Sequence, residues 1–216
     1  MYKIRTTMDV ISSLKWRYAT KKFDADKLLT EEKLDILKEA FNLTATSYGL
    51  QPVRMVVVSD KALQQRLKEA AMNQSQVLDA SHVLIICVER KVEAPFVTNY
   101  FDRVKEVRET PDAILKPFRE MLEQKFDNQP KSDTREWAIR QAYLTLGNLL
   151  TVCALEEIDA CPMEGFEPEK FDEILELKKH NLASALVLPV GYRAQDDMFA
   201  DFKKVRRPQK ETIIHL

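Results

Sequence analysis

The stretch AYLTLGNLLTVCAL, residues 142–155, is the most apolar window of the chain and decides how the rest can fold around it. A membrane-spanning helix needs about 20 apolar residues, so this window is too short to cross a bilayer. Gly147 and Asn148 also interrupt it. The window belongs to a predicted helix over about 133–156 that is apolar on most sides beyond Ala138. Such a helix is expected at the centre of a core or an interface.

Elements of both kinds surround this helix. Asp9 and Thr30 are residue types that cap helix N-termini, so each predicts a helix directly after it. Runs rich in β-branched residues predict strands. Three such runs are clear: Val53–Ser59, His82–Glu89 and Leu182–Tyr192. A shorter strand opens the segment IDACPMEGF. Helices and strands alternate irregularly, which favours a single domain, residues 1–216, of the α+β class.

Two regions stand apart from that body. Residues 94–131 are charged and weakly amphipathic, and they predict a helical excursion of two helices with prolines as punctuation: Pro111, Pro117 and Pro130. Residues 193–216 form a C-terminal arm without helical periodicity, which closes with the strand-like ETIIHL. An apolar strand at the end of a polar arm has to be buried, and the sheet edge of a partner chain is one place to bury it.

Composition limits the functional classes. The 216 residues are 31% charged and 45% hydrophobic with a net charge of −1, as in ordinary soluble globular proteins. A general nucleic-acid binder would carry a basic excess; the basic run Phe202–Lys210 is an alternative contact, but it lacks a reading module. The cysteines have no paired spacing and the start lacks a signal peptide, so we expect a cytoplasmic protein with neither membrane nor nucleic-acid partners.

Several kinds of chemistry are excluded by spacing. The four glycines stand far apart, so neither a dinucleotide fingerprint nor a Walker loop exists. The three histidines are isolated and no CxxC occurs, so no metal site is expected. A GxSxG elbow is absent as well. Catalysis would therefore come from a bound cofactor.

Three short segments could serve one cofactor together: RYATKK at 17–22, MEGF at 163–166, and the basic run 202–210. Each alone is more often a solvated surface. Flavin mononucleotide (FMN) needs all three kinds of group. Its phosphate attracts Arg and Lys, its reduced ring favours a Lys near N1 and O2, and its N5 edge accepts a backbone N–H beside a glycine.

The order and spacing of six segments resemble the nitroreductase family, in its oxygen-insensitive NAD(P)H nitroreductase and dihydropteridine reductase branch: RYATKKFD, TATSYGLQPVRMVVVS, LDASHV, AYLTLGNLL, CPMEGF and VRRPQ. The resemblance covers about 10–208 and is weakest between 91 and 132. It implies a mainly antiparallel sheet flanked by helices. It also implies an intertwined homodimer that exchanges C-terminal strands, with FMN at the interface and NAD(P)H as co-substrate.

The resemblance also implies residue roles, all in cofactor binding and none as a catalytic side chain, since the chemistry would occur at flavin N5. Arg17 would bind the phosphate with Lys204 and Arg206; a register shifted by one residue would give Lys203 or Arg207 a share of that role. Lys21 would lie at the N1/O2 edge. The remaining positions are a loop lent by the partner subunit (Thr46, Ser47 and Gly49), the pyrimidine edge (Asn73), the N5 segment (Pro162, Met163, Glu164 and Gly165), and three further positions (Tyr18, Ala19 and Gln76).

This chain departs from the family pattern at four of these positions. Tyr18 and Ala19 replace a common His-Ser pair, Gly49 replaces a frequent asparagine, and Gln76 replaces a frequent lysine. In the weakly matched excursion, Phe118 or Phe126 would close over the ring; packing between surface helices is the alternative for each.

The implied function is ping-pong reduction of a nitroaromatic, a quinone or another flat electron acceptor by NAD(P)H. The alternative is a dimer on the same fold that binds a flavin or related ligand without turnover.

Overall fold

The structure is a computed structural model that describes residues 9–216; the N-terminal start, where no signal peptide is predicted, lies outside the described residues. Within that range the helices are α1 (Val10–Trp16), α2 (Glu31–Asn42), α3 (Lys61–Glu69), α4 (Gln76–Asp79), α5 (Ala94–Arg108), α6 (Asp112–Asn128), α7 (Lys131–Leu155), α8 (Pro168–Ile174) and α9 (Gln209–Thr212). The strands are β1 (Val53–Val58), β2 (His82–Glu89), β3 (Asp159–Ala160) and β4 (Leu182–Gly191).

The four strands form one antiparallel sheet in the order β1-β2-β4-β3. Every residue of β2 is buried, as its continuous apolar run predicts for a central strand. A register shift between Ile86 and Cys87 marks an irregularity where β2 meets β4. The predicted mainly antiparallel α+β fold is confirmed.

Side-chain alternation along β2 divides the core into two layers. Leu84 and Ile86 face the layer that contains Leu149 and Cys153 of α7. Their neighbours Val83, Ile85 and Cys87 face the opposite layer, which is built on α3 and α8. The apolar helix α7 therefore lies against the central strands, as predicted, and it begins at Lys131, slightly earlier than the sequence indicates.

The two N-caps work as predicted: the side chains of Asp9 and Thr30 accept hydrogen bonds from the N–H groups of Ser12 and Lys33. The region 94–131 also contains two helices, which pack on each other around an apolar cluster that includes Phe101 and Leu122. Pro117 does not end a helix, however. It lies inside α6, which continues through it although proline cannot donate the backbone hydrogen bond there.

The C-terminal arm contains no strand among the residues that the structure describes. Residues 209–212 form one helical turn, and Ile213 and Ile214 beyond it are exposed. The strand-like ending is thus not a strand in the single chain, because a strand requires a neighbour for its backbone groups and none is present here. Exchange of this segment with a partner chain stays a prediction.

Across residues 9–216, no helix has both the length and the apolar character that crossing a bilayer requires.

Candidate functional site

A cluster of cations forms where α1 ends. Arg17 is the C-cap residue of α1, and its carbonyl oxygen accepts a hydrogen bond from Lys204 Nζ in the C-terminal arm. Burial, and then the neighbouring Arg206 guanidinium, lower the pKa of Arg17. Burial, and then the charges of Arg17 and Arg206, lower the pKa of Lys204. The fold therefore brings Arg17 together with Lys204 and Arg206, which lie 187 or more residues later in the chain.

These three cations have no acidic partner. Within residues 9–216, none of Arg17, Lys204 and Arg206 forms an ion pair with a carboxylate. Like charges held close together are better stabilised by an anion than by water alone. The three residues predicted to bind a phosphate thus form a group with the chemistry of an anion site.

The segment after Arg17 is held by a buried carboxylate. Asp197 is 5% exposed. Its Oδ2 accepts hydrogen bonds from Tyr18 Oη at 2.8 Å, Lys21 N at 2.9 Å and Lys22 N at 3.1 Å. Burial raises the pKa of Asp197, but the hydrogen bonds from Tyr18 and from backbone N–H groups outweigh it and leave the pKa below its ordinary value. The Lys21 side chain is left exposed and without an ion pair among the described residues.

A second buried carboxylate, Asp159 of β3, holds Arg193. The Arg193 Nε and backbone N both donate to Asp159 at 2.8 Å. The guanidinium carbon lies 4.3 Å from the centroid of the Trp16 ring and 4.6 Å from that of Tyr18. Ala19 forms a parallel bridge with Ala160 beside this pair. Arg193 is therefore a structural cation, which fixes the aromatic residues on either side of Arg17.

The predicted N5 segment runs along the edge of the sheet. Met163 is buried and exchanges backbone hydrogen bonds with Val187 at 2.8 and 3.1 Å. Glu164 is exposed, and its Oε1 accepts a hydrogen bond from Tyr143 Oη at 2.6 Å. Pro162 is half-buried between Cys161 and Met163. The segment thus carries its exposed end, Glu164 and Gly165, towards α7.

Gly165 lies against the loop that carries Asn73. Gln74 Nε2 donates to the Gly165 carbonyl at 2.8 Å, and a Cβ on Gly165 would lie 3.2 Å from the same nitrogen and 3.6 Å from Met72 Sδ. Asn73 is exposed at a positive φ of 54° in this loop, and Gln76 is buried at the start of α4. The fold therefore places Asn73 next to the N5 segment, within the same chain.

The predicted partner loop lies elsewhere. Ser47 N donates to Gln141 Oε1 at 2.9 Å, near the middle of α7, whereas the Arg17 charge acts on Cys153 near the end of α7. Those two α7 positions are about 18 Å apart at the rise of an α-helix. Among residues 9–216, no hydrogen bond or ion pair joins Thr46, Ser47 or Gly49 to the cation cluster. One chain alone does not complete the predicted site.

The two predicted phenylalanines differ in exposure. Phe126 is 3% exposed and stacks on Trp137 with ring centroids 4.9 Å apart, so it is a core residue of the chain. Phe118 is 43% exposed and packs edge-on against Tyr48 and Phe101. Because Phe126 is buried in the core, we do not expect its ring to close over a ligand. For Phe118 that role stays a prediction.

The sequence did not single out Tyr48, Asp159, Arg193 or Asp197. Tyr48 has a positive φ of 59°, contacts Phe118, Phe126 and Trp137, and stands between two predicted site residues. A bulky aromatic residue at a position of left-handed backbone was the only signal available for it. The other three form pairs across large sequence separations, which a single sequence does not reveal.

The cysteines offer no reactive group. All three are free and buried, and burial raises the pKa of Cys87 and of Cys153 to about 12. Thiolate chemistry is therefore not available at these two positions near neutral pH. Nor do residues 9–216 contain a group of three or more His, Cys, Asp or Glu residues arranged to hold a metal ion.

Comparison with known proteins decides the family. Residues 14–192 match the model described as the nitroreductase family. The chain belongs to the nitroreductase family. An oxygen-insensitive NAD(P)H nitroreductase of Salmonella typhimurium is 30% identical over 219 residues, covering 95% of this chain and 99% of the relative. The resemblance drawn from six segments is confirmed, and with it membership of a family of oxidoreductases.

Solved nitroreductase-like structures share the fold. A protein of Streptococcus mutans is 25% identical with a TM-score of 0.82, covering 95% of this chain and 97% of its own. A nitroreductase structure from Exiguobacterium sibiricum, in complex with FMN, is 22% identical with a TM-score of 0.83 and covers 99% and 100%. The whole described chain, including the excursion, therefore follows the nitroreductase fold.

Gly49 supplies a prediction about the predicted partner loop. Its φ is +72°, and an added Cβ would collide with the Tyr100 hydroxyl. We expect Gly49→Ala to lower the free energy of unfolding by about 1–2 kcal/mol through the left-handed backbone alone, with a further loss from the collision. In a Tyr100→Phe background the further loss should shrink. Urea denaturation of the four proteins measures this, and an equal loss in both backgrounds would contradict the assigned contact.

Proposed function

We propose that this nitroreductase-family protein is an FMN-dependent NAD(P)H oxidoreductase that reduces nitroaromatics, quinones or similar flat acceptors in a ping-pong cycle. The observation that carries the proposal is the group of three unpaired cations at the end of α1, beside the exposed Lys21. Two further observations support it: the name of the Salmonella relative, an NAD(P)H nitroreductase, and FMN in the Exiguobacterium structure.

The residues present fit the phosphate of FMN. Burial and then the charge of Arg206 lower the pKa of Arg17, and burial and then the charges of Arg17 and Arg206 lower the pKa of Lys204. None of the three cations meets a carboxylate among the described residues. A dianionic phosphate would offset that mutual repulsion, and arginine forks are well matched to phosphate oxygens. The two nearby carboxylates do not compete, because Asp159 is held by Arg193 and Asp197 by N–H groups and a phenol.

The ring would lie between Lys21 and the N5 segment. Within residues 9–216, Lys21 forms no competing ion pair, so its ammonium could stabilise negative charge on a ligand. Gly165, which has no side chain, lets the loop with Gln74 and Met72 pack closely on the N5 segment, and the backbone beside the exposed Glu164 would face the ligand. Asn73 lies in the loop that packs on Gly165 and would meet the pyrimidine edge. FMN, when bound, would supply the redox chemistry by taking two electrons from NAD(P)H and passing them to the acceptor.

The site would be completed by a second copy of the chain. Loop 46–49 does not reach the cation cluster of its own chain, as the separation along α7 indicates. The second half of α7 exposes apolar side chains, with Tyr143 44% exposed and Leu144 53% exposed, and it borders a depression of about 500 Å³ beside residues 43–45. A homodimer packed through this face would bury these side chains. It would also offer the exposed C-terminal segment an edge to join.

The first prediction concerns the cofactor. Purified protein is expected to be yellow and to lose its colour when NADH or NADPH is added without oxygen. Absorbance near the flavin bands measures both. A colourless protein that does not bind added FMN would contradict the proposal. A yellow protein that oxidises no NAD(P)H with any quinone or nitroaromatic would support the alternative of a binding protein without turnover.

The second prediction separates two cations. Arg17→Ala removes charge-assisted hydrogen bonds to the phosphate, each worth about 1.5–3 kcal/mol, so FMN affinity should fall roughly 10- to 100-fold. Lys21→Ala should slow flavin reduction by NAD(P)H more than it weakens FMN binding, because its charge acts on the ring. Flavin fluorescence titration and stopped-flow absorbance measure these two quantities.

Lys22→Ala is the matched control for both variants. Lys22 forms an ion pair with Asp196 on the surface, where its side chain is 53% exposed. It should therefore resemble the wild type in both measurements. If Lys22→Ala has the larger effect, or if neither Arg17→Ala nor Lys21→Ala has any, the roles assigned to this segment are wrong.

The third prediction concerns assembly. Leu144→Glu places a charge on the exposed face of α7 and should convert a dimer to monomers, because burial of an unpaired carboxylate is unfavourable. Leu28→Glu is the control, since Leu28 is 60% exposed and does not line the depression beside residues 43–45. Size-exclusion chromatography with light scattering reports both masses. A wild-type monomer, or a Leu144→Glu dimer, would refute an interface through this face.

A further inference from the structure

We propose that Asp197 is a positioning residue of the site: it fixes the segment 17–22 against the C-terminal arm so that the cations of both segments face one ligand. The identification of that ligand as FMN rests on the proposed function. Neither the family match nor the sequence pattern assigns Asp197 a role.

The first argument is the arrangement of donors around one oxygen. Asp197 Oδ2 accepts from Tyr18 Oη, Lys21 N and Lys22 N, all within 3.1 Å. Its other oxygen, Oδ1, accepts from Phe199 N at 3.1 Å. A carboxylate that is 5% exposed needs such donors, because an unpaired buried charge is very unfavourable. The same requirement makes the geometry of segment 18–22 specific, since each donor must stay within reach.

The second argument is where Asp197 stands in the chain. It precedes the short helical turn Met198–Asp201, and the arm then continues to Lys204 and Arg206. Its donors lie on the segment that begins with Arg17. One carboxylate therefore ties together the two stretches of chain that supply the cation cluster. Other ties lie on either side of it: Ala194 N donates to the Lys22 carbonyl at 2.9 Å, and Lys204 Nζ donates to the Arg17 carbonyl at the surface.

The third argument concerns what Asp197 does not bind. It accepts from backbone N–H groups and a phenol, and it forms no ion pair with a Lys or Arg side chain among the described residues. An ion pair with Lys21 would have occupied the cation that a ligand needs. Because its charge is balanced by the backbone instead, Asp197 fixes Lys21 without neutralising its ammonium. Lys22, by contrast, is neutralised by Asp196 at the surface.

Tyr18 extends this arrangement to the aromatic residues. Its hydroxyl donates to Asp197 while its ring lies 4.6 Å from the Arg193 guanidinium carbon, which Asp159 holds in turn. Tyr18 thus connects two buried carboxylates on either side of segment 17–22. Loss of the hydroxyl would remove one of the three donors to Oδ2 and leave the backbone pair in place.

The test compares Asp197→Asn with Asp196→Asn, the same substitution at the adjacent, 69% exposed position. Asn keeps the size of Asp but removes the charge, which weakens each hydrogen bond. An amide also has only one accepting oxygen, so it cannot accept from Phe199 N and from the donors on segment 18–22 with two separate oxygens. Hydrogen–deuterium exchange of the protein without flavin should show faster exchange over residues 18–22 in Asp197→Asn only. Equal exchange in all three proteins would overturn the proposal, whether or not the protein binds flavin.

Flavin titrations then test the positioning role. Asp197→Asn should weaken riboflavin binding by roughly tenfold through the displacement of Lys21, and FMN binding by more, because the phosphate cations are displaced as well. Lys204→Ala should weaken FMN alone, since riboflavin has no phosphate. Asp196→Asn should stay within about twofold of the wild type, as for other exposed ion pairs. Unchanged riboflavin affinity in Asp197→Asn would contradict the control of Lys21 by Asp197.

The midpoint potential of bound FMN distinguishes two explanations of the Asp197→Asn effect, because they predict shifts of the potential in opposite directions. If Asp197 acts only as a nearby negative charge, its removal favours the anionic reduced flavin and raises the potential. If it positions Lys21, its removal takes a cation away from the ring and lowers the potential. We expect a lower potential, and a raised or unchanged one would overturn the proposal.

Tyr18→Phe keeps the test decisive if Asp197→Asn does not fold. It should give the same changes at smaller size, roughly threefold in FMN affinity, because a single hydrogen bond to a charged group is lost. Wild-type behaviour of Tyr18→Phe in exchange, affinity and potential alike would count against the proposal. If the wild-type protein binds no flavin, the proposed function fails and the exchange experiment still decides the role of Asp197.

Discussion

Burial of α7 against the central strands is the interaction on which the rest of the structure depends. Leu149 and Cys153 are completely or almost completely buried under β2 and β4, and each fully buried leucine contributes roughly 1.5–3 kcal/mol. The helices α1 and α2 pack on α7 as well. Because α7 has 25 residues, it is about 37 Å long, and it connects places that would otherwise be unrelated. Arg17 lies at one of these places and Ser47 at another.

The site around Arg17 holds like charges close together in spite of their mutual repulsion. Basic residues gather there with two buried carboxylates. Asp159 binds Arg193, and Asp197 binds backbone N–H groups and Tyr18. Among residues 9–216, the three cations of the cluster have no carboxylate that offsets their charge. Their repulsion disfavours the ligand-free chain, so a bound anion would stabilise the fold as well as the site. The fold requires Asp159 and Asp197 as acceptors, and the site requires that neither one binds the cluster.

Much of the fold could be predicted because its main signals are local. The β-branched run of His82–Glu89 predicts β2 to the residue, and the capping side chains of Asp9 and Thr30 start helices where expected. Where a local signal and packing disagree, packing prevails, as at Pro117, which lies inside a helix held by its neighbour α5. The ending ETIIHL illustrates the opposite limit: β-propensity describes how well a residue fits a sheet, and the single chain offers this segment no sheet.

The site was predictable only where the family pattern reached it. Arg17, Lys204 and Arg206 meet in the structure although no periodicity relates them, and order along the chain was the only available guide. Asp197 had no such guide, because its donors on the segment after Arg17 lie 175 or more residues away and an acidic residue near a basic run usually indicates a solvated surface. Buried carboxylates are recognised by their donors, and donors are known only once the chain is folded.

The division of the site along α7 follows from the same geometry. Loop 46–49 is fixed by Gln141 and by the aromatic residues around Tyr48, whereas the cations gather near Cys153. Folding of a single chain cannot shorten that separation, because α7 is rigid and both places are attached to it. Two copies that pack through the α7 face in opposite directions would bring the loop of each chain towards the cations of the other. In such a dimer the apolar face and the incomplete site would have one cause: α7 would serve as the core of each chain and as the contact between the two.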